Sequence, residues 1–127
     1  MPYLNLDDNY HDHPKVDALT DSAYRLHGGC MFYVAKFTLD GYLTPGQIKQ
    51  RRGYKPAVVR ELQSSGLLHG LGDGCGTKTC PNGREGYYLL HDYLQWNKSK
   101  DWWDTKRRKD AERLAKWRAD HANQDGE

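Results

Sequence analysis

The residues best equipped for chemistry are two histidines and two cysteines, set out as His69-x5-Cys75-x4-Cys80-x10-His91. Imidazole nitrogen and thiolate sulfur are preferred ligands of zinc, and four of them complete its tetrahedral shell. A shell filled by protein leaves no position for a water, so such a site braces structure and does not hydrolyse. The spacing is not the short cysteine gap of the common finger. The setting still favours a metal. Gly70 to Gly86 is a glycine-rich run of 17 residues. An apolar core cannot easily fix such a loop, and a metal can. The expectation is a structural Zn2+ on His69, Cys75, Cys80 and His91. The alternative is two free thiols and two ordinary histidines.

Other reactive residues are weaker candidates. Cys30 lies at a core-like helical position and reads as a small buried apolar residue. His11-Asp12-His13 resembles a metal-binding tripeptide, but Pro14 fixes the chain there and suits a structural lead-in. His91-Asp92 alone is too little for a metal phosphohydrolase, which needs further His and Asp ligands. There is no Ser/His/Asp set, no phosphate-binding glycine loop and no pair of carboxylates in a cleft-like context. The expectation is a binding module, not an enzyme.

Several elements must position these residues. Thr20 is a good N-cap, and Asp21 suits the positive end of a helix. Ala23, Leu26, Cys30, Met31, Val34 and Phe37 recur at helical spacing, which predicts a helix over about 20–37. Gly28-Gly29 inside it weakens that helix, and close packing of another element there would account for them. Asp40-Gly41 signals a turn, and Tyr42-Leu43 a very short strand. Thr44-Pro45 opens a short helix to about Arg52, ended by Gly53. Pro56 opens another to about residue 65, with Val58, Val59 and Leu62 inward and Gly66 as terminator. Two short helices joined by a tight turn form a helix-turn-helix. Leu67-Leu68-His69 and Tyr87-Tyr88-Leu89-Leu90 are strand-like and can pair around the glycine-rich loop. The lead-in, Tyr3 to Val16, reads as irregular, and the stretch Asp92 to Asn97 leads out of the wing. Ser99 caps a last helix over about 99–121, and Asn123 to Glu127 should fray.

The predicted fold is therefore α+β: a winged helix-turn-helix with a zinc-stiffened wing and a C-terminal basic helix. Residues 1–97 form the winged domain, with the wing at about 67–92, and 98–127 form the basic helix and tail.

Charge points to a partner. The net charge is only +2, yet Asp7, Asp8, Asp12, Asp17 and Asp21 make the start acidic, and nine Lys and Arg crowd between Lys98 and Arg118. Segregated positive charge suits a polyanion. One α-helix fits the DNA major groove while a second braces it. In the helix opened by Pro56, Ala57, Arg60, Glu61 and Ser64 are left facing outward, and Arg60 can read a guanine edge or a phosphate. Lys49, Arg51, Arg52 and Lys55, with Arg107 and Arg108 on the last helix, are the expected phosphate contacts. The competing reading is a protein-interaction module, with those charges solvated and Trp102, Trp103 and Trp117 as contacts. Trp102 and Trp103 are adjacent, so one of them should be exposed.

Bulk properties exclude other classes. The 127 residues are 37% hydrophobic with a mean hydropathy of −0.97, enough for one modest core. No run of about 18 apolar residues spans a membrane. The N-terminus lacks a basic start and apolar stretch, so it does not read as a secretory signal. Three cysteines without a signal argue against a disulfide framework. A cytoplasmic setting is expected. Nothing marks an oligomer seam.

Three stretches taken together resemble a group of small proteins from bacteriophages and prophages of actinobacteria. They are His13-Pro14-Lys15-Val16 before a helix; Asp40-Gly41-Tyr42-Leu43-Thr44; and Leu67-Leu68-His69 … Cys75 … Cys80-Pro81 … Gly86-Tyr87-Tyr88-Leu89-Leu90-His91-Asp92-Tyr93-Leu94. That group is similar to the N-terminal winged-helix domain of phage replisome organisers and replication initiators. In it the wing loop carries a histidine and two cysteines and returns to a His-Asp-aromatic turn. The resemblance implies zinc on His69, Cys75, Cys80 and His91, and a double-stranded-DNA-binding role in replication initiation or transcriptional regulation in the cytoplasm of a bacterial host. Phage or host replication proteins would be further partners. The cysteine gap here is longer than the two residues of the group. Replisome organisers usually continue into a domain that recruits the helicase loader, where this chain has a basic helix.

Overall fold

The structure is a computed structural model and describes residues 3–125. It is a mixed α+β arrangement. In chain order the elements are α1 (Pro14–Asp17), α2 (Asp21–Phe37), β1 (Tyr42–Leu43), α3 (Pro45–Lys49), α4 (Pro56–Ser64), β2 (Tyr88–Leu89), α5 (Tyr93–Trp96) and α6 (Lys100–Asp125).

Local chemistry sets the helix starts. The Thr20 hydroxyl accepts from the Ala23 N–H and caps α2. Thr44 and Gln47 form a reciprocal capping box at α3, with Pro45 in the first turn. Pro56 opens α4 without a side-chain cap. Two short helices fall in stretches where no helix was expected. His13 Nδ1 accepts from the Lys15 N–H and caps α1 ahead of Pro14. Asp92, in the left-handed region, turns the chain into α5. α3 is shorter than expected and stops before Arg51, because the turn to α4 closes there.

The main core joins α2 to α3, α4 and the strands. It holds Leu26, Cys30, Val34, Leu43, Ile48, Val59, Leu62, Leu68, Leu90 and Tyr93. Cys30 is fully buried among them, as its helical spacing implied. Two contacts clamp α2 to the helix pair. The Glu61 carboxylate accepts from both the Thr20 N–H and the Thr20 hydroxyl, at 2.8 Å each. Glu61 was expected to face outward, and instead it ties the start of α2 to α4. Gly53 (φ 87) presses the turn onto α2, where a Cβ would lie 2.7 Å from the Ser22 carbonyl oxygen. The close packing expected at Gly28-Gly29 occurs at Gly53. A Cβ at Gly28 would meet nothing within 4 Å.

The sheet is small. β1 and β2 pair antiparallel, Tyr42 opposite Leu89 and Leu43 opposite Tyr88. On the other side of β2 a single bridge pairs Leu68 with Leu90. The His69 N–H donates to the Leu89 carbonyl at 2.8 Å and the His91 N–H to the Leu67 carbonyl at 3.0 Å. The chain ending in β2 thus lies between β1 and the 67–69 segment.

α6 is polar on all sides and mostly solvated. Trp103, at its start, is buried and meets the Tyr3 ring edge-on at 5.3 Å. Trp102 is 40% exposed, so of the adjacent pair one is free. Leu114 and Trp117, further along the helix, are exposed. The helix runs to Asp125. The fraying expected over Asn123–Glu127 lies outside the described residues at 126–127, as do the side chains from 123 onward.

Candidate metal centre

Strand alternation brings the two histidines together. Leu68 and Leu90 sit opposite each other and enter the main core. Their neighbours His69 and His91 therefore share the other face of the ladder. Leu89 is on that face too, and with Tyr42 and Cys80 it forms a second small cluster. Cys80 is fully buried there, while Cys75 is exposed on the loop.

The loop folds back to deliver both thiols. The Thr77 N–H donates to the Cys80 carbonyl at 2.7 Å, and the Cys80 N–H donates to the Thr77 hydroxyl at 3.0 Å. The Gly72 N–H donates to the Tyr87 carbonyl at 2.8 Å. The Tyr42 hydroxyl reaches across to the Asn82 carbonyl at 2.6 Å, with the Arg84 guanidinium 4.2 Å from the Tyr42 ring. The two limbs of the loop touch backbone to backbone. A Cβ at Gly83 would overlap the Gly72 carbonyl oxygen, so glycine is required there.

The four ligand atoms lie within 4.8 Å of one another. His69 Nε2 is 3.1 Å from Cys80 Sγ, 3.2 Å from His91 Nδ1 and 3.4 Å from Cys75 Sγ. His91 Nδ1 is 3.5 Å from Cys75 Sγ and 3.6 Å from Cys80 Sγ. One ring nitrogen has a single proton or a single lone pair, so it cannot bond three partners at once. A shared central ion would satisfy that convergence. Metal bonds of about 2.0–2.1 Å to nitrogen and 2.3 Å to sulfur give tetrahedral edges of about 3.3 Å between nitrogens and 3.6 Å between nitrogen and sulfur. The His69–His91, Cys75–His69, Cys75–His91 and Cys80–His91 separations lie close to those edges, and His69 Nε2 to Cys80 Sγ, at 3.1 Å, is shorter. The group can hold a metal ion, and its donor set is compatible with zinc.

The protonation of His69 is consistent with this. Burial, with the neighbouring His91 adding to it, pulls the His69 pKa down, towards the neutral imidazole that binds metals. The Cys75 thiol is pushed up, mainly by its hydrogen bond with Cys80. Metal binding would therefore release protons.

Sequence reasoning missed the support around the ligands. His91 Nε2 is 3.2 Å from Asp92 Oδ2, and the Thr79 hydroxyl donates to Asp92 Oδ1 at 3.1 Å. Adjacency of His91 and Asp92 was the available signal, and it was read as a phosphohydrolase pair too weak to stand alone. His13 has a structural role at α1, and His11 pairs with Asp12 at 3.2 Å on the surface.

The expected DNA contacts differ in exposure and in the partners they already hold. Lys49, Arg52, Lys55 and Arg60 are exposed. Arg51 is half-buried: its Nε–H donates to the Gln47 carbonyl at 3.2 Å, and its guanidinium lies 4.1 Å from the Tyr33 ring. It therefore holds the turn against α2, a role its position in a basic run concealed. Arg107 and Arg108 are exposed on α6 but face its own carboxylates, Asp104 and Glu112. Among the described residues, no helix is long and apolar enough to cross a membrane.

Comparison with protein-family models, curated proteins and solved structures finds no match.

Proposed function

We propose that the chain is a duplex-DNA-binding protein of winged-helix type, with a wing stapled by zinc. The order of elements carries this reading: α2, β1, α3, a tight turn, α4, the 67–69 segment, a long loop and β2. That order, with β2 between β1 and the 67–69 segment, supports a winged helix-turn-helix reading. α4 buries Val58, Val59 and Leu62 and leaves Ala57, Arg60 and Ser64 in solvent, a free face for the major groove. Arg60 reads a base edge or phosphate, and Lys49 and Lys55 hold phosphates. The two-nitrogen, two-sulfur donor set suits zinc, which closes the loop and has no position left for hydrolysis. A phage or prophage origin and a part in replication initiation or transcriptional regulation, in the host cytoplasm, belong to the same proposal.

The test joins metal content with DNA titration. Protein purified without chelator should carry about one zinc per chain, lost on Cys75→Ser. Duplex affinity should fall with salt at a log–log slope of about −0.9 per phosphate neutralised. Binding that is indifferent to salt, or absent, overturns the reading.

A specific observation favours a second reading, a protein-interaction module. Leu114 and Trp117 are exposed on α6, 47% and 56% respectively, well beyond its docked start. If Trp117→Ala abolishes function while Arg52 and Arg60 can be neutralised freely, that reading replaces the first.

A further inference from the structure

The outer face of α2 carries a groove that metal binding does not use and that the expected DNA contacts share only at Arg51 and Arg52. Tyr24, Gly28 and Phe32 lie one turn apart along one stripe. Tyr24 and Phe32 are 44% and 62% exposed. Between them the helix backbone is bare: a Cβ at Gly28 would meet nothing within 4 Å, and one at Gly29 only the Arg51 Cβ at 3.9 Å. Two central glycines weaken a helix, and here no neighbour among the described residues needs the room they make. The groove encloses about 840 Å3. Arg25, Lys36, Arg51 and Arg52 line it, and no carboxylate does. Two of these cations are already placed against aromatic rings, Arg51 on Tyr33 and Lys36 5.3 Å from Phe37.

The chemistry of the groove selects its occupant. A second copy of this chain packed face to face on a two-fold axis would set the same cations against themselves, which like charge opposes. A nucleic-acid strand stacks successive bases on a run of bare ring faces, but here Arg51 covers Tyr33, Lys36 lies by Phe37, and the exposed rings of Tyr24 and Phe32 are set apart by glycine backbone. A helix suits it better. A small residue between two large ones on a stripe is a hole for a side-chain knob, and a rim of cations wants carboxylates. We propose that this groove docks an acidic amphipathic helix of a partner protein, with one bulky apolar side chain over Gly28 between Tyr24 and Phe32, and carboxylates on Arg25, Lys36 and Arg52.

The test is to pan a display library of helical peptides against the purified full chain, then titrate a selected peptide by amide NMR. Selected peptides should be rich in Asp and Glu, with Leu, Phe or Trp at helical spacing, and should shift the amides of residues 24–36. Binding should weaken at least about tenfold on Phe32→Ala, on Arg52→Glu and on Gly28→Leu. Gly28→Leu fills the notch while favouring the helix, and an unchanged far-UV spectrum confirms that it folds. Three results overturn the proposal: no acidic enrichment, binding that ignores all three substitutions, or displacement of the peptide by oligo(dT). Self-association abolished by Gly28→Leu would assign the face to a second copy and overturn it too.

Discussion

His91 stands between the candidate metal centre and Asp92, with Nδ1 towards both cysteines and Nε2 3.2 Å from the Asp92 carboxylate. A carboxylate on the far nitrogen fixes the tautomer and leaves the near lone pair for the metal. Asp92 is itself held by the Thr79 hydroxyl and has φ 54. Asn also tolerates that backbone, so Asp92→Asn removes charge with little strain. Metal affinity should fall about 10–100-fold. Competition with a chromophoric chelator measures this, and an unchanged affinity would make Asp92 a bystander.

The two cysteines should fail differently. Cys75 is exposed, and Cys80 is buried beside Tyr42 and Leu89. Cys75→Ala should cost what metal removal costs and no more. Cys80→Ala should add a packing loss of about 1 kcal/mol, because it also takes a buried atom from the cluster. Thermal unfolding with and without chelator separates them. With chelator present, Cys75→Ala should match the native chain, and Cys80→Ala should lie below it.

His27 makes stability depend on pH. It is 5% exposed, and the Tyr10 hydroxyl is 2.5 Å from its Nδ1. Burial pulls its pKa from 6.5 to about 4, and pushes Tyr10 upward, so the phenol stays a donor. The unfolded chain then binds the proton first. Stability is full above pH 6.5 and declines as pH falls towards about 4, by about 3 kcal/mol in all. Carboxylates titrate nearby, so the readout is the difference between the native chain and His27→Gln in urea unfolding with chelator. A difference that does not change between pH 7 and 4.5 would refute the assignment.

Local signals were legible where one residue type has one use. Thr20, Thr44-Pro45 and Pro56 mark helix starts, and the ladder alternation that unites His69 with His91 follows from apolar neighbours on both sides. What stayed hidden depends on distant chain. Trp103 is buried because Tyr3 reaches it, a hundred positions away in the sequence. Glu61 faces α2 because Thr20 offers two donors there. Arg51 looks like any residue of a basic run until Tyr33 lies beneath it. The left-handed turn at Asp92 carries no glycine or asparagine to announce it.

The same distinction separates two glycines. Gly53→Ala places a methyl 2.7 Å from the Ser22 carbonyl oxygen at φ 87. It should destabilise by about 2–3 kcal/mol or more, through backbone strain and a clash against α2. Gly28 lies in a helix interior with open space around it. Gly28→Ala should stabilise by about 1 kcal/mol. Denaturant titration gives both signs, and equal signs would contradict the placement of the turn on α2.

Substitutions in the basic residues should sort by surface. Arg60→Ala removes an exposed cation from the free face of α4, and should weaken duplex binding with little effect on folding. If Arg60 holds a phosphate, the salt slope falls by about one; if it reads a base, sequence preference relaxes instead. Arg107→Ala and Arg108→Ala act on α6, where Asp104 and Glu112 already partly neutralise them, so each should weaken binding less than Arg60→Ala. Arg51→Ala should lower the unfolding midpoint, since it loses a ring contact and a backbone hydrogen bond. Fluorescence anisotropy at two salt concentrations, beside thermal unfolding of each variant, separates these outcomes. Equal binding losses at Arg60, Arg107 and Arg108 with unchanged stability at Arg51 would mean diffuse charge, not α4, makes the contact.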